Sequence, residues 1–202
     1  MSDNLAAILR LLLVTDDSLL RRSDPLAACR AAVAGGVTAV QLRLKDAGDT
    51  EFLALARLLV AQLPVPVFIN DRLDIALVAG ARGVHLGADD LAPALARRVA
   101  PSGFVIGASV GEDGEIARGA VADYWGIGPF RTTATKADAG PALGVAGVSR
   151  LLSLAGGRPC VAIGGIQPED VATLRGAGFA GVAVVSGILG AEDVEGAARN
   201  YR

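Results

Sequence analysis

Eight short apolar runs punctuate the chain, at residues 9–15, 39–44, 66–69, 83–86, 104–108, 124–128, 160–164 and 181–185. Runs of that length, rich in leucine, valine and isoleucine, read as strands buried on both faces. Between them lie segments with apolar residues at helical spacing: DPLAACRAAVA, DTEFLALARLLVAQL, DRLDIALVAG, PALARRVA, DGEIARGAVA, VAGVSRLLSLAG and PEDVATLRGAG. Alternation of buried strand and helix is the pattern of a parallel sheet covered by helices. A weak internal recurrence accompanies it. AGGVTAV, AGARGVHL, GAVADYWGI and GAGFAGVAV each carry a helix end into a strand, with glycine where a helix C-cap turn favours it. Eight such units closing on themselves give a (β/α)₈ TIM barrel, for which 202 residues is near the compact limit of about 200. An open doubly wound sheet competes with it. The phosphate fingerprint of that fold does not follow any strand, since GAGFAG at 176–181 joins a helix to a following strand, the reverse of the required order.

No serine- or proline-rich linker and no shift in composition interrupts the pattern, so residues 1–202 are expected to form one compact domain. A net charge of −2 offers no general attraction to nucleic acid or to an acidic membrane surface. Any bound anion must then be held by local basic groups and backbone amides. The opening stretch MSDNLAAILRLLLVTDD places an acidic residue before its apolar run and Arg10 within it, which fits neither a secretory signal nor a membrane span. A cytoplasmic protein is expected. Cys29 and Cys160 stand far apart, without metal-ligand spacing, and read as packing residues in a reducing compartment rather than a zinc site.

In a barrel the active site forms where the strands end, and here those ends are polar or rich in glycine. Thr15-Asp16 follows the first run, Gln41, Arg43 and Lys45 belong to the second, Asn70-Asp71-Arg72 follow the third, and Gly87 to Asp90 follow the fourth. Ser109 ends the fifth, GPFRTTATKADAGP opens after the sixth, Gly164-Gly165 end the seventh, and Val185-Ser186-Gly187 end the eighth. Strand alternation would place Gln41, Arg43 and Lys45 on one face. Two cations there point to an anion at the mouth, the alternative being a solvated edge strand. Asp71 and Asp90 follow neighbouring strands and could share one cation, as Mg²⁺ takes one or two carboxylates together with water and phosphate oxygens. Either aspartate could instead cap a helix. AIGGI and VVSGI stand where barrels commonly bind a phosphate, although glycine could serve only a tight turn.

GASVG at 107–111 has the letters of a nucleophile elbow, but the chain's one histidine, His85, precedes Ser109. That fold needs its histidine after the serine and the acid, which argues against a serine hydrolase. His85 itself reads either as a satisfied, partly buried histidine or as a catalyst.

These motifs together resemble the thiamine-phosphate synthase family, from LLLVTD near the start to VAVVSGIL near the end. QLRLK at 41–45 is similar to the family's Q-L-R-E-K, INDR at 69–72 to its N-D-R, and GVHLGADD at 83–90 to its G-V-H-L-G-Q-x-D. GPFRTTATK at 128–136 is similar to its glycine-proline loop ending in T-x-T-K, and AIGGI and VVSGI follow in order. The resemblance implies a (β/α)₈ barrel that couples 4-amino-2-methyl-5-hydroxymethylpyrimidine diphosphate to a thiazole phosphate. The products would be thiamine phosphate and diphosphate, with Mg²⁺ as cofactor. By that resemblance Gln41, Arg43, Lys45, Asn70, Ser109 and Lys136 would hold the pyrimidine diphosphate, and Asp71 and Asp90 the metal. Thr133, Thr135, Gly165, Val185 and Ser186 would hold the thiazole phosphate, and the loop after the sixth run would close over both. No side-chain nucleophile is implied, because diphosphate leaves first and the thiazole nitrogen captures the pyrimidine-methyl cation.

The chain departs from the family pattern at Leu44, Ala88 and Arg131-Thr132, where Glu, Gln and an aromatic-proline pair are usual. Arg131 reads as a further phosphate contact or as a surface ion pair. The related thiazole tautomerase needs a histidine just after the fifth strand's serine, where this chain reads SVGED. A noncatalytic binder of thiamine precursors is the alternative from another class, against which the full diphosphate and metal set stands. The chain's partners would be its small-molecule substrates, with neither nucleic acid nor membrane, and a homo-oligomer is compatible with the sequence.

Overall fold

The structure is a computed structural model and describes residues 5–21, 24–132 and 140–202. The elements run α1 (Leu5–Ile8), β1 (Leu11–Val14), α2 (Asp17–Leu20), α3 (Pro25–Gly35), β2 (Ala39–Leu42), α4 (Asp49–Gln62), β3 (Val67–Asn70), α5 (Leu73–Ala79), β4 (Gly83–Leu86) and α6 (Pro93–Val99). They continue with β5 (Val105–Val110), α7 (Asp113–Gly119), β6 (Tyr124–Ile127), α8 (Gly144–Ser153), β7 (Cys160–Ile163), α9 (Asp170–Gly176), β8 (Gly181–Val184), α10 (Ser186–Leu189) and α11 (Val194–Arg199). All eight strands pair in parallel with their sequence neighbours, and β1 closes on β8 through Leu12 and Ala183. The expected (β/α)₈ barrel is therefore the fold, and the open sheet is excluded.

Alternation along each strand sorts the side chains into two apolar clusters. Leu12 and Val14 of β1, Ala39 of β2, Phe68 of β3, Val105 of β5, Tyr124 of β6, Val161 of β7 and Ala183 of β8 fill the barrel interior. Their neighbours, among them Leu13, Val40, Ile69, Val84, Ile106, Trp125, Ala162 and Val182, face the surrounding helices. Leu9, with Leu5 and Ile8 of α1, packs against the interior cluster at the end where the strands begin. Leu9 and Arg10, expected within the first strand, instead close and follow this short helix, which plugs the barrel floor. At the opposite end the buried positions turn polar: Thr15, Gln41, Asn70 and His85. A closed floor and a polar rim leave one end for chemistry.

Two of the expected glycine caps are in place. Gly36 ends α3 and Gly80 ends α5, both left-handed at φ 113° and 69°. At the other two junctions the cap is right-handed, Ala120 after α7 and Ala177 after α9, and a left-handed glycine, Gly178, follows only the second. A Cβ at Gly80 would meet nothing within 4 Å, so only the backbone demands glycine there. Gly80→Ala should thus lower stability by about 1 kcal/mol. Gly176→Ala, equally open but with φ outside the left-handed region, should leave stability unchanged or raise it by about 0.5 kcal/mol. Paired denaturant melts of the two variants check this, since equal losses would place the cause in packing.

Candidate functional site

The second strand is shorter than its alternating pattern suggested. It ends at Leu42, so Gln41 points inward from the strand while Arg43 and Lys45 sit in the loop beyond it. Two side chains just beyond β1 hold that loop. Thr15 Oγ1 accepts from the Arg43 amide at 2.8 Å and donates to the Arg43 carbonyl at 3.0 Å. The Asp17 carboxylate accepts from the amides of Lys45 at 2.8 Å and Asp46 at 3.2 Å. Both cations are ion-paired, Arg43 with Asp16 at 3.6 Å and Lys45 with Asp71, so the mouth is a charge-matched network and not a solvated edge. Next to it Gln41 Nε2 donates to Asn70 Oδ1 at 2.7 Å, both side chains being buried. That bond does not use the Gln41 carbonyl or the Asn70 amide hydrogens, and both residues line the cavity.

Neither aspartate caps a helix. Arg72 and Ala92 occupy the cap positions of α5 and α6, without a side-chain cap bond. Asp71 adopts a left-handed conformation at φ 63°, with its amide bonded to the His85 carbonyl at 2.8 Å. A non-glycine residue held there is a modest strain of the kind that accumulates at functional sites. Asp90 Oδ2 accepts from the Gly87 amide at 2.7 Å, and Arg118 secures the same turn by donating to the Gly87 and Asp90 carbonyls, each at 2.7 Å. Burial pushes the Asp90 carboxyl above its ordinary value, and its contact with the Asp71 carboxyl adds to that rise against the Gly87 amide and Lys45.

Two carboxyl groups in contact need a proton or a cation between them. Among the described residues no cluster of three or more His, Cys, Asp or Glu could hold a metal. A pair of oxygen donors beside cations suited to phosphate fits Mg²⁺, which fills its remaining positions with water and phosphate oxygens.

Ser109 lies on β5, one residue before its end, with Oγ 3.1 Å from His85 Nε2. The other imidazole nitrogen, Nδ1, is 3.0 Å from the hydroxyl of Tyr124, which is fully buried. His85 is therefore satisfied on both nitrogens, and Tyr124 is a participant the strand pattern did not reveal.

On the far side of the mouth Gly164 and Gly165 turn with φ 97° and 63°. A Cβ on Gly165 would come within 2.9 Å of Arg131 Cβ, so glycine also lets the loop after β6 lie against the loop after β7. Arg131 is an ion-pair residue: it grips Asp170 of α9 with two nitrogens, one at 2.7 Å, and stacks over Phe130 at 5.0 Å. Val185 and Ser186 lead from β8 into α10 and line the same cavity as Gly165, Gln41, Arg43, Lys45, Asn70, Asp71, Asp90 and Ser109. Thr133, Thr135 and Lys136 lie outside the described residues. The cavity measures about 1040 Å³, room for two small substrates side by side.

Residues 11–188 match the family model described as thiamine monophosphate synthase. The chain is 46% identical over 200 residues to the thiamine-phosphate synthase of Syntrophomonas wolfei, covering 95% of this chain and 94% of that one. It is 47% identical over 196 residues to that of Xanthobacter autotrophicus, covering 95% and 92%. Among solved structures it superimposes on the thiamine phosphate pyrophosphorylase of Pyrococcus furiosus with a TM-score of 0.84 and 34% identity, over 98% of this chain and 96% of the other. The family match begins at the first residue of β1 and ends within α10, so it takes in every strand and the mouth they build, and the chain belongs to the thiamine monophosphate synthase family.

Proposed function

We infer that the chain couples 4-amino-2-methyl-5-hydroxymethylpyrimidine diphosphate to a thiazole phosphate, forming thiamine phosphate and releasing diphosphate. The observation that carries this reading is the convergence of Asp71, Asp90 and Lys45 beside the Gln41–Asn70 pair, in one cavity with the glycine turns after β7 and β8. The C–O bond of the pyrimidine substrate breaks with its electron pair going to diphosphate, and the thiazole nitrogen then bonds to the methylene carbon. The demands on the protein are to hold a departing anion, to place a neutral nucleophile and to keep water from the cation.

Arg43, Lys45 and Lys136 meet the diphosphate, with Ser109 and the Asn70 amide as neutral donors and Gln41 beside the pyrimidine. Gly165, Val185, Ser186, Thr133 and Thr135 hold the thiazole phosphate, glycine letting the backbone approach it. Asp71 and Asp90 would hold Mg²⁺, which when bound would supply positive charge to the diphosphate oxygens. The two buried thiols, Cys29 raised to about 12 and Cys160 to about 11 mainly by burial, are inert packing groups that suit a reducing cytoplasm.

Purified protein mixed with both substrates and Mg²⁺ should yield thiamine phosphate and diphosphate in equal amounts, and no product from the pair would refute the reading. Asp90→Asn keeps an oxygen for the Gly87 amide while removing one carboxylate. It should raise the Mg²⁺ concentration for half-maximal turnover on the order of tenfold or more, since even outer partners of a metal ligand cost about 10–100-fold. Its melting temperature without metal should be unchanged or higher. Unaltered Mg²⁺ dependence in both Asp90→Asn and Asp71→Asn would remove these residues from the metal site.

Arg43→Ala tests the partition between the two anions. The Arg43 backbone is fixed by Thr15, so only the guanidinium is lost. Affinity for the pyrimidine diphosphate should fall on the order of tenfold to a hundredfold, with thiazole-phosphate affinity nearly unchanged. Calorimetry with each ligand reads this directly, and parallel losses for both would mean that the sites are not separate.

A further inference from the structure

We propose that Tyr124 and His85 are positioning residues that fix the polarity of Ser109, so that its hydroxyl proton is aimed into the mouth as a donor to the pyrimidine diphosphate. The proposal rests on the coupling reaction inferred above and adds to it a hydrogen-bond relay running Tyr124, His85, Ser109.

The register builds the relay. Gly107 of β5 pairs with His85 of β4 on one side and with Tyr124 of β6 on the other. A Cβ at Gly107 would run into the Tyr124 ring, so the missing side chain lets the two rings meet across the strand between them, with centroids 5.4 Å apart. Two residues further along, Ser109 pairs with Gly126, where a Cβ would come within 3.0 Å of His85 Cε1. Two inward glycines therefore clear the space in which the imidazole lies between the phenol and the serine hydroxyl.

The direction of the bonds follows from what each end can reach. Tyr124 is 0% exposed, and its hydroxyl has His85 Nδ1 as its one hydrogen-bond partner among the described residues. If Nδ1 carried a proton, the phenol would have to accept it, and its own proton would be stranded among apolar groups, the costly case of a buried donor left unmade. An imidazolium would strand it equally. Burial also raises the phenol's pKa far above its ordinary value, so the proton stays on Tyr124. The phenol must donate to Nδ1, which places the imidazole hydrogen on Nε2. Nε2 then donates to Ser109 Oγ at 3.1 Å. With that lone pair occupied, the serine proton turns to the cavity that Ser109 lines. A donor held in this orientation costs no reorganisation as charge develops on the leaving oxygen, and so acts on turnover more than on binding.

His85 is the chain's one histidine, so its imidazole nitrogens give a single pair of resonances in protein labelled with nitrogen-15. The wild-type spectrum should show the tautomer protonated at Nε2 and bare at Nδ1, and Tyr124→Phe should show a mixture of tautomers. A wild-type imidazole protonated at Nδ1 would overturn the relay. This measurement needs no turnover, so it judges the relay separately from the coupling reaction.

Kinetics supply the second test. Tyr124→Phe keeps the ring and removes the hydroxyl, and should lower kcat about tenfold, the worth of one well-placed hydrogen bond, with KM for either substrate changed less than about twofold. In a Ser109→Ala background the same substitution should change kcat less than about twofold, because the group it orients is gone. An equal factor in both backgrounds would show that Tyr124 acts through packing alone.

Discussion

A closed barrel of eight strands has room at its centre for few large side chains, and Phe68 and Tyr124 occupy much of it, edge to face at 5.9 Å. The rest of the interior follows from that allocation. Gly107 gives way beneath the Tyr124 ring, while Ala39 and Ala183 stay small among the inward positions. Because Tyr124 is large and polar at its tip, the hydroxyl must find a partner at the level where the interior turns from apolar to polar. His85 is that partner, and through it the packing of the barrel's centre reaches Ser109 at the mouth. Core volume and site geometry are one problem in a barrel this small.

The loops at the mouth are held largely through their backbone groups, by Thr15, Asp17 and Arg118. Thr15 and Asp17 grip the backbone after β2, so that the Arg43 and Lys45 side chains are not needed to support their own loop. Arg118 grips the turn after β4 through carbonyls, leaving the Asp90 carboxyl to meet Asp71. The cost is concentrated in the carboxyl pair and in the left-handed backbone of Asp71. A divalent cation at the site proposed above would offset the repulsion of the carboxyl pair.

The architecture was legible in the sequence because strands buried on both faces leave continuous apolar runs, and all eight runs correspond to strands whose ends differ from them by at most two residues. The short helices α1, α2, α10 and α11 were not, since four to six residues carry no readable period. The placement of Arg43 and Lys45 on a strand face failed for a different reason. Their spacing matches a strand, but the backbone there is taken by Thr15 and Asp17, partners more than twenty residues away. Asp71 and Asp90 were legible as a pair through their positions after neighbouring strands. Tyr124 was hidden, because an aromatic residue in an apolar run signals packing, and its polar role arises only when Gly107 of the adjacent strand is opposite. Arg131, open between two readings in the sequence, is committed to Asp170.

That commitment bears on how a departure from the family pattern can be absorbed. Where an aromatic-proline pair would stiffen the start of the loop after β6 by ring packing and a fixed φ, this chain has Arg131-Thr132. The ion pair from Arg131 to Asp170, the stacking on Phe130 and the Arg131 amide bonded to the Gly164 carbonyl at 2.9 Å tie the same segment to β7 and α9. Asp170 also accepts from the Gln167 amide at 2.8 Å, so one carboxylate braces two adjoining loops of the mouth at once. The constraint has moved from covalent stiffness to a charged, two-nitrogen grip with a further hydrogen bond behind it. A reaction whose main requirement is that two small molecules be held in line needs that segment fixed, and is indifferent to which interaction fixes it.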